Sequence, residues 1–195
     1  MEPQINKKKN LAIKDYSKRR TGKKINLLFD ATIILHNNGK NCAISGIFFV
    51  AYNVLKVILD RDDVNLIIFC NKGQVTDVRK RFKELFGSID INIFIEEDFY
   101  NGNKKRGAEI EGIDVFLSPV FKIPIEIKKR KDILKYTIIY DTIPLLLPEY
   151  FRGESPDWFM EMASEMNEGE HYFSISKYTK KDFIKYIPNI KSQHI

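Results

Sequence analysis

The chain has 195 residues, of which 44% are hydrophobic and 12% aromatic; this is enough for one buried core and excludes a wholly disordered polypeptide. Its formal net charge of +6 belongs to one end, because residues 1–24 hold nine Lys/Arg against Glu2 and Asp15, a net of +7, and the rest sums to −1. No apolar run approaches the roughly 18 residues that cross a bilayer, the first residues lack the apolar centre of a secretion signal, and Cys42 and Cys70 alone make no disulfide framework or multi-cysteine zinc site. A reducing, cytoplasmic setting is the default for such a chain.

Residues 1–24 read as a basic, solvated tail. Lys7 to Lys9, Lys18 to Arg20, Lys23 and Lys24 suit an anionic membrane surface, each charge being worth about 1 kcal/mol near anionic headgroups. Nucleic acid would use the same charges. However, Tyr16 is the one aromatic residue among them and no recognition helix is evident, so no specific nucleic acid is expected.

Residues 25–195 alternate between strand-like and helix-like segments. Ile25 to Phe29 is an apolar strand that stops at Asp30, and a polar loop follows with His36, Asn37, Asn38, Gly39 and Lys40. Ser45-Gly46 then opens a helix, in which Ile47, Phe48, Ala51, Val54, Leu55, Ile58 and Leu59 recur at helical spacing. The free N–H groups at such a helix start attract anions or sugar hydroxyls. The glycine spacing is neither a Walker A loop nor the dinucleotide fingerprint, so neither ATP nor NAD is indicated and no bound cofactor is expected. His36 reads as a solvated loop residue, and with His171 and His194 it makes no metal-ligand spacing.

Val64 to Cys70 is the second strand, and Val78, Phe82, Leu85 and Phe86 mark the next helix. Ile89 to Ile95 is the third strand, with Glu96, Glu97 and Asp98 as its solvated end. Ile113 to Leu117 is the fourth, closed by Ser118-Pro119, and Lys122 to Lys131 is a basic, irregular stretch. The fifth strand, Tyr136 to Ile139, runs into Tyr140-Asp141-Thr142-Ile143-Pro144, where an acid and two prolines, Pro144 and Pro148, predict a rigid loop. Ser155-Pro156 supplies a cap and first-turn proline for a helix whose apolar face is Trp158, Phe159, Met162, Ala163 and Met166. A strand-like segment ends at Ser176, and a last helix begins there. Strands separated by helices imply an α/β domain whose parallel sheet is covered on both faces.

Three segments stand in order: Asp30 with Ser45-Gly46-Ile47; Tyr140 through Phe151, which reads Tyr-Asp-Thr-Ile-Pro and then Pro-Glu-Tyr-Phe; and Ser174 through Asp182. In this order they resemble the amino-terminal half of a family-four glycosyltransferase, the retaining enzymes of the GT-B fold, with bacterial mannosyltransferase-like spacing over residues 24 to 190. The resemblance implies a Rossmann-like parallel sheet with helices on both faces, one half of a GT-B fold. It further implies transfer of a hexose from a nucleotide-diphosphate sugar to a cell-surface polysaccharide or lipid-linked glycan such as lipopolysaccharide, without a bound metal.

By the same resemblance, Asn38, Gly39, Ser45, Gly46, Tyr140 and Ser176 are substrate-binding candidates and Asp141 is the catalytic one. Relatives often carry His where this chain has Tyr140, and the exchange removes a group titrating near neutrality. Asp141 is left as the acceptor of a hydrogen bond from a substrate hydroxyl. The donor-binding glycines and paired glutamates of the family are not among these residues. The donor side is therefore expected from a second domain or a partner chain, with residues 1–24 at the inner face of the cytoplasmic membrane. Two alternatives stay open: a non-catalytic binding module of the same fold, and a nucleic-acid binder acting through the tail.

Overall fold

The computed structural model describes residues 24–36, 46–87, 90–95, 112–120, 122–150 and 157–195. Strand β1 (Ile25–Asp30) is flanked by β2 (Val64–Cys70) and β4 (Val115–Ser118), and β3 (Asn92–Ile95) lies outside β2. On the other side β4 pairs with β5 (Leu134–Ile139), which pairs with the edge strand β6 (His171–Ser174). All five pairings are parallel and the order is β3-β2-β1-β4-β5-β6. This is the order of a doubly wound, Rossmann-like sheet, with its switch point between β1 and β4.

Alternate side chains build two apolar layers. Phe29, Ile68, Leu117 and Ile138 face helices α2 (Gly46–Leu59) and α3 (Val75–Phe86), which contribute Phe48, Ala51, Leu55, Val78 and Phe82. Leu28, Phe69, Phe94 and Phe116 face the opposite way onto Ile127. Beyond them, Ile139 and Tyr172 pack with Phe159, Met162 and Phe183 from α6 (Asp157–Glu165) and α7 (Lys177–Tyr186). Burial on both faces accounts for the near-continuous apolar runs of the central strands.

The amino edge of the sheet is closed by a polar ladder. Asn65 donates to the Asn26 side-chain carbonyl at 2.8 Å, Asn26 donates from Nδ2 to the Gly112 carbonyl at 2.5 Å, and the Asn26 N–H reaches Asp114 Oδ2 at 2.9 Å. Gly112 has φ +118°, in the left-handed region that favours glycine, and so presents its carbonyl to Asn26 without strain. These groups join β2, β1 and β4 at the edge opposite to the candidate site.

Local structure departs from the sequence reading in five places. The first residues after β1 form a short helix, α1 (Thr32–His36), because Asp30 Oδ1 accepts both the Thr32 N–H (2.9 Å) and its hydroxyl (2.6 Å). The basic stretch contains α4 (Ile125–Lys129), anchored by the fully buried Ile127. Its charge is matched by the acidic face of α6, where Lys128 lies 3.2 Å from Glu165 and Lys122 pairs with Glu161 and Glu165, and by the buried Glu170 just before β6, 3.4 Å from Lys128. The segment after β5 is α5 (Ile143–Leu146) followed by a 3-10 turn at Pro148–Tyr150. β3 and β4 also begin later than expected, at Asn92 and Val115, where pairing to β2 and β1 starts. Residues 1–23, 88–89, 96–98 and the Ser155-Pro156 cap lie outside the described residues, as do the side chains of His36 and Trp158.

Asp114→Ala removes the carboxylate that holds the Asn26 N–H. Hydrogen bonds to charged groups and orphaned donors put the expected loss at about 1–3 kcal/mol, read as a lower urea midpoint at unchanged slope.

Candidate functional site

Parallel strands deliver their last residues to one edge, and Tyr140 and Asp141 arrive there from β5. Asp141 Oδ1 accepts the Ile143 N–H at 3.0 Å, while the Thr142 carbonyl accepts N–H groups from Leu145 (3.0 Å) and Leu146 (2.9 Å). Pro144 falls at the start of α5, where a missing N–H costs no helical bond. Thus an aspartate and a proline stop the strand and start a helical turn in four residues. Asp141 is exposed, and its turn contact engages one oxygen only.

The α7 helix locks this corner. Ser176 is its N-cap, with Oγ accepting the Thr179 N–H at 3.0 Å. Thr179 is buried and donates its hydroxyl to the Tyr140 carbonyl at 2.6 Å. The end of β5 is therefore bonded directly to the first turn of α7. Ser176, a substrate-binding candidate, is exposed and its hydroxyl serves this cap.

A cavity of about 130 Å³ opens beside Asp141 and Tyr140. It brings Ile47, next to Gly46 at the start of α2, together with Val120 from beyond β4 and Pro144, Phe159 and Phe183. The Tyr140 hydroxyl is buried and has no hydrogen-bond partner among the described residues. Burial pushes its phenol well above the ordinary value. A second cavity of about 290 Å³, bounded by Val50, Val54, Leu117 and Phe173, is apolar apart from Ser174.

The structure thus joins Tyr140, Asp141 and the Gly46 end of α2 at one edge, and places Ser176 just behind them. Gly46 is exposed, and a Cβ there would meet nothing within 4 Å, so no close approach requires glycine among the described neighbours. Asn38, Gly39 and Ser45 lie outside the described residues. Sequence reasoning missed Thr179 and Val120: a threonine in a helix start and a valine after Ser-Pro carry no signal of a contact formed between distant strands. It assigned Phe159 and Met162 to the core, and they also wall the cavity. Among the described residues no group of three or more His, Cys, Asp or Glu is placed to hold a metal, and no helix is long and apolar enough to cross a membrane.

Comparison with family models, with curated proteins and with solved structures gives no match for this chain. Fold and site together define an α/β protein of Rossmann-like topology, with a small, mostly apolar cavity bordered by Asp141 at the carboxyl end of its sheet.

Ser176→Ala is expected to lower stability by about 1 kcal/mol, the usual worth of an N-cap hydroxyl. Chemical denaturation checks it, and an unchanged midpoint would remove Ser176 from the α7 cap.

Proposed function

We propose that this chain is the acceptor-side half of a retaining hexosyltransferase, holding a glycan or lipid-linked glycan so that one of its hydroxyls meets a nucleotide-diphosphate sugar. The observation that supports this reading is Asp141: a carboxylate at the carboxyl end of β5, fixed through Oδ1 by the Ile143 N–H and facing solvent at the rim of a cavity. In doubly wound sheets, that edge is where ligands bind. The ordered segments around Asp30, Tyr140 and Ser176 add the resemblance described above.

In this reading Asp141 accepts a hydrogen bond from the acceptor hydroxyl and orients its oxygen. Alignment of reacting atoms is itself a large part of catalysis. Tyr140 exchanges no proton near neutrality, since burial favours its neutral form. Positioning by Asp141 therefore carries the polar chemistry that this edge supplies. The donor phosphates are held by a second domain or partner chain. The positive charge of residues 1–24 holds the protein against an anionic membrane surface.

Titration of the chain with a panel of free and lipid-linked oligosaccharides tests the reading. Asp141→Asn retains an oxygen for the Ile143 N–H but replaces the other acceptor by a donor. Acceptor affinity should fall about ten- to a hundredfold, equivalent to about 1.5–3 kcal/mol, while stability changes by less than about 1 kcal/mol. Unchanged affinity, or no glycan bound at all, would contradict the assignment. For the tail, binding to vesicles containing anionic lipid should weaken steeply with salt and disappear in a form starting at Lys24. Equal binding by both forms would exclude residues 1–23 from membrane contact.

A further inference from the structure

A parallel sheet is ordinarily covered on both faces, and the corner made by β5 and β6 departs from this. On one face Ile139 and Tyr172 are covered by α6 and α7. The alternate side chains of the same strands point the other way, where Phe173 is 55% exposed and lies flat against Tyr136 with ring centres 5.0 Å apart. Here α2 supplies a facing wall. Its Val50 and Val54, with Leu117, Ile138, Phe173 and Ile175, line a hollow of about 290 Å³ in which Ser174 is the one polar side chain.

This hollow continues the cavity beside Asp141, because Ile138 lines both. The same continuity runs along α2: Ile47 lines the first space, and Val50 and Val54, three and seven residues further on and so on the same helix face, line the second. Seven residues of helix rise by about 10 Å. An apolar path of that length therefore leads from the carboxyl edge down the face of the sheet.

The lining selects the occupant. Sugar hydroxyls and peptide groups need hydrogen-bond partners when they leave water, whereas hydrocarbon needs none. A cavity of ~150 Å³ holds the six carbons of benzene, so about 290 Å³ has room for roughly twelve. We propose that this hollow holds the hydrocarbon chain of a lipid-linked acceptor whose sugar reaches Asp141. This rests on the acceptor-side reading above and, of the free and lipid-linked glycans which that reading admits, selects the lipid-linked. Since the two spaces share Ile138, little glycan separates the chain from the hydroxyl at Asp141. An alkyl glucoside, one ring on one chain, is the simplest mimic.

Titration of the full chain with hexyl, octyl and decyl glucoside, each below its micellar concentration, tests this. Full burial of a methylene is worth about fourfold in affinity, and a chain with one side in solvent retains about twofold. Decyl glucoside should therefore bind at least about tenfold more tightly than hexyl glucoside, with amide shifts at Val50, Val54, Ser174 and Ile175 that grow with chain length. Val54→Phe puts a ring into the hollow and should cut the gain from hexyl to decyl to within about twofold, with affinity for free oligosaccharides unchanged. Should that variant not fold, Ile175→Ser, at a position already 54% exposed, should weaken decyl glucoside about threefold or more. Equal affinity for the three glucosides would overturn this inference and leave the acceptor-side reading, which free oligosaccharides test, standing. A chain-length gain undiminished in both variants would put the chain elsewhere and overturn the assignment. So would a dimer in sedimentation velocity that Phe173→Asp dissociates, since the hollow would then belong to a second copy. A chain-length gain without binding of any oligosaccharide would overturn the acceptor-side reading and the lipid-linked occupant with it.

Discussion

Everything at the candidate site depends on the common direction of the six strands. A parallel sheet must return each strand's chain across a face, so strand ends and helix starts accumulate at one edge, with their unpaired backbone groups available there. The order β3-β2-β1-β4-β5-β6 reverses direction of winding at β1 and β4, which leaves a crevice at that edge. The opposite edge shows the contrast. There Asn26, Asn65, Gly112 and Asp114 hydrogen-bond to one another across three strands.

At the carboxyl edge the polar groups divide into two kinds. Asp30, Ser176 and Thr179 are engaged by the fold: the aspartate caps α1, the exposed serine caps α7, and the threonine hydroxyl holds the Tyr140 carbonyl. Asp141 and Tyr140 are only partly used by the fold. One oxygen of Asp141 serves the turn, and the Tyr140 hydroxyl serves nothing among the described residues. A buried hydroxyl without a partner costs of the order of 1–3 kcal/mol, and unsatisfied groups of this kind are uncommon in folded proteins. The acceptor-side reading gives the second oxygen of Asp141 a use.

Much of the architecture was legible in the sequence because it follows from periodicity. Val64 to Cys70 reads as a strand and is one, to the residue, since its burial leaves an apolar run interrupted by Asn65 alone. The helix of Phe48, Ala51 and Leu55 is equally plain. The short helices were not, because they rest on single contacts. One buried isoleucine defines α4, and the basic character of its sequence reflects partners on α6 rather than irregularity. Likewise, Asp141 and Ser176 were legible as strand-end residues, but whether each faces a ligand or a backbone N–H depends on positions that no local pattern encodes. The cavity was invisible for the same reason: Ile47, Val120 and Phe183 come from three separate elements and read as ordinary core residues.

The central claim is that ligand binds where β5 ends. Amide chemical-shift mapping with the tightest-binding free oligosaccharide of the panel locates that contact directly. The account predicts shifts concentrated at Ile47, Asp141, Thr142 and Ile143, around the cavity and its turn. Shifts centred instead on Asn26, Asn65 and Gly112, at the amino edge of the sheet, would contradict it.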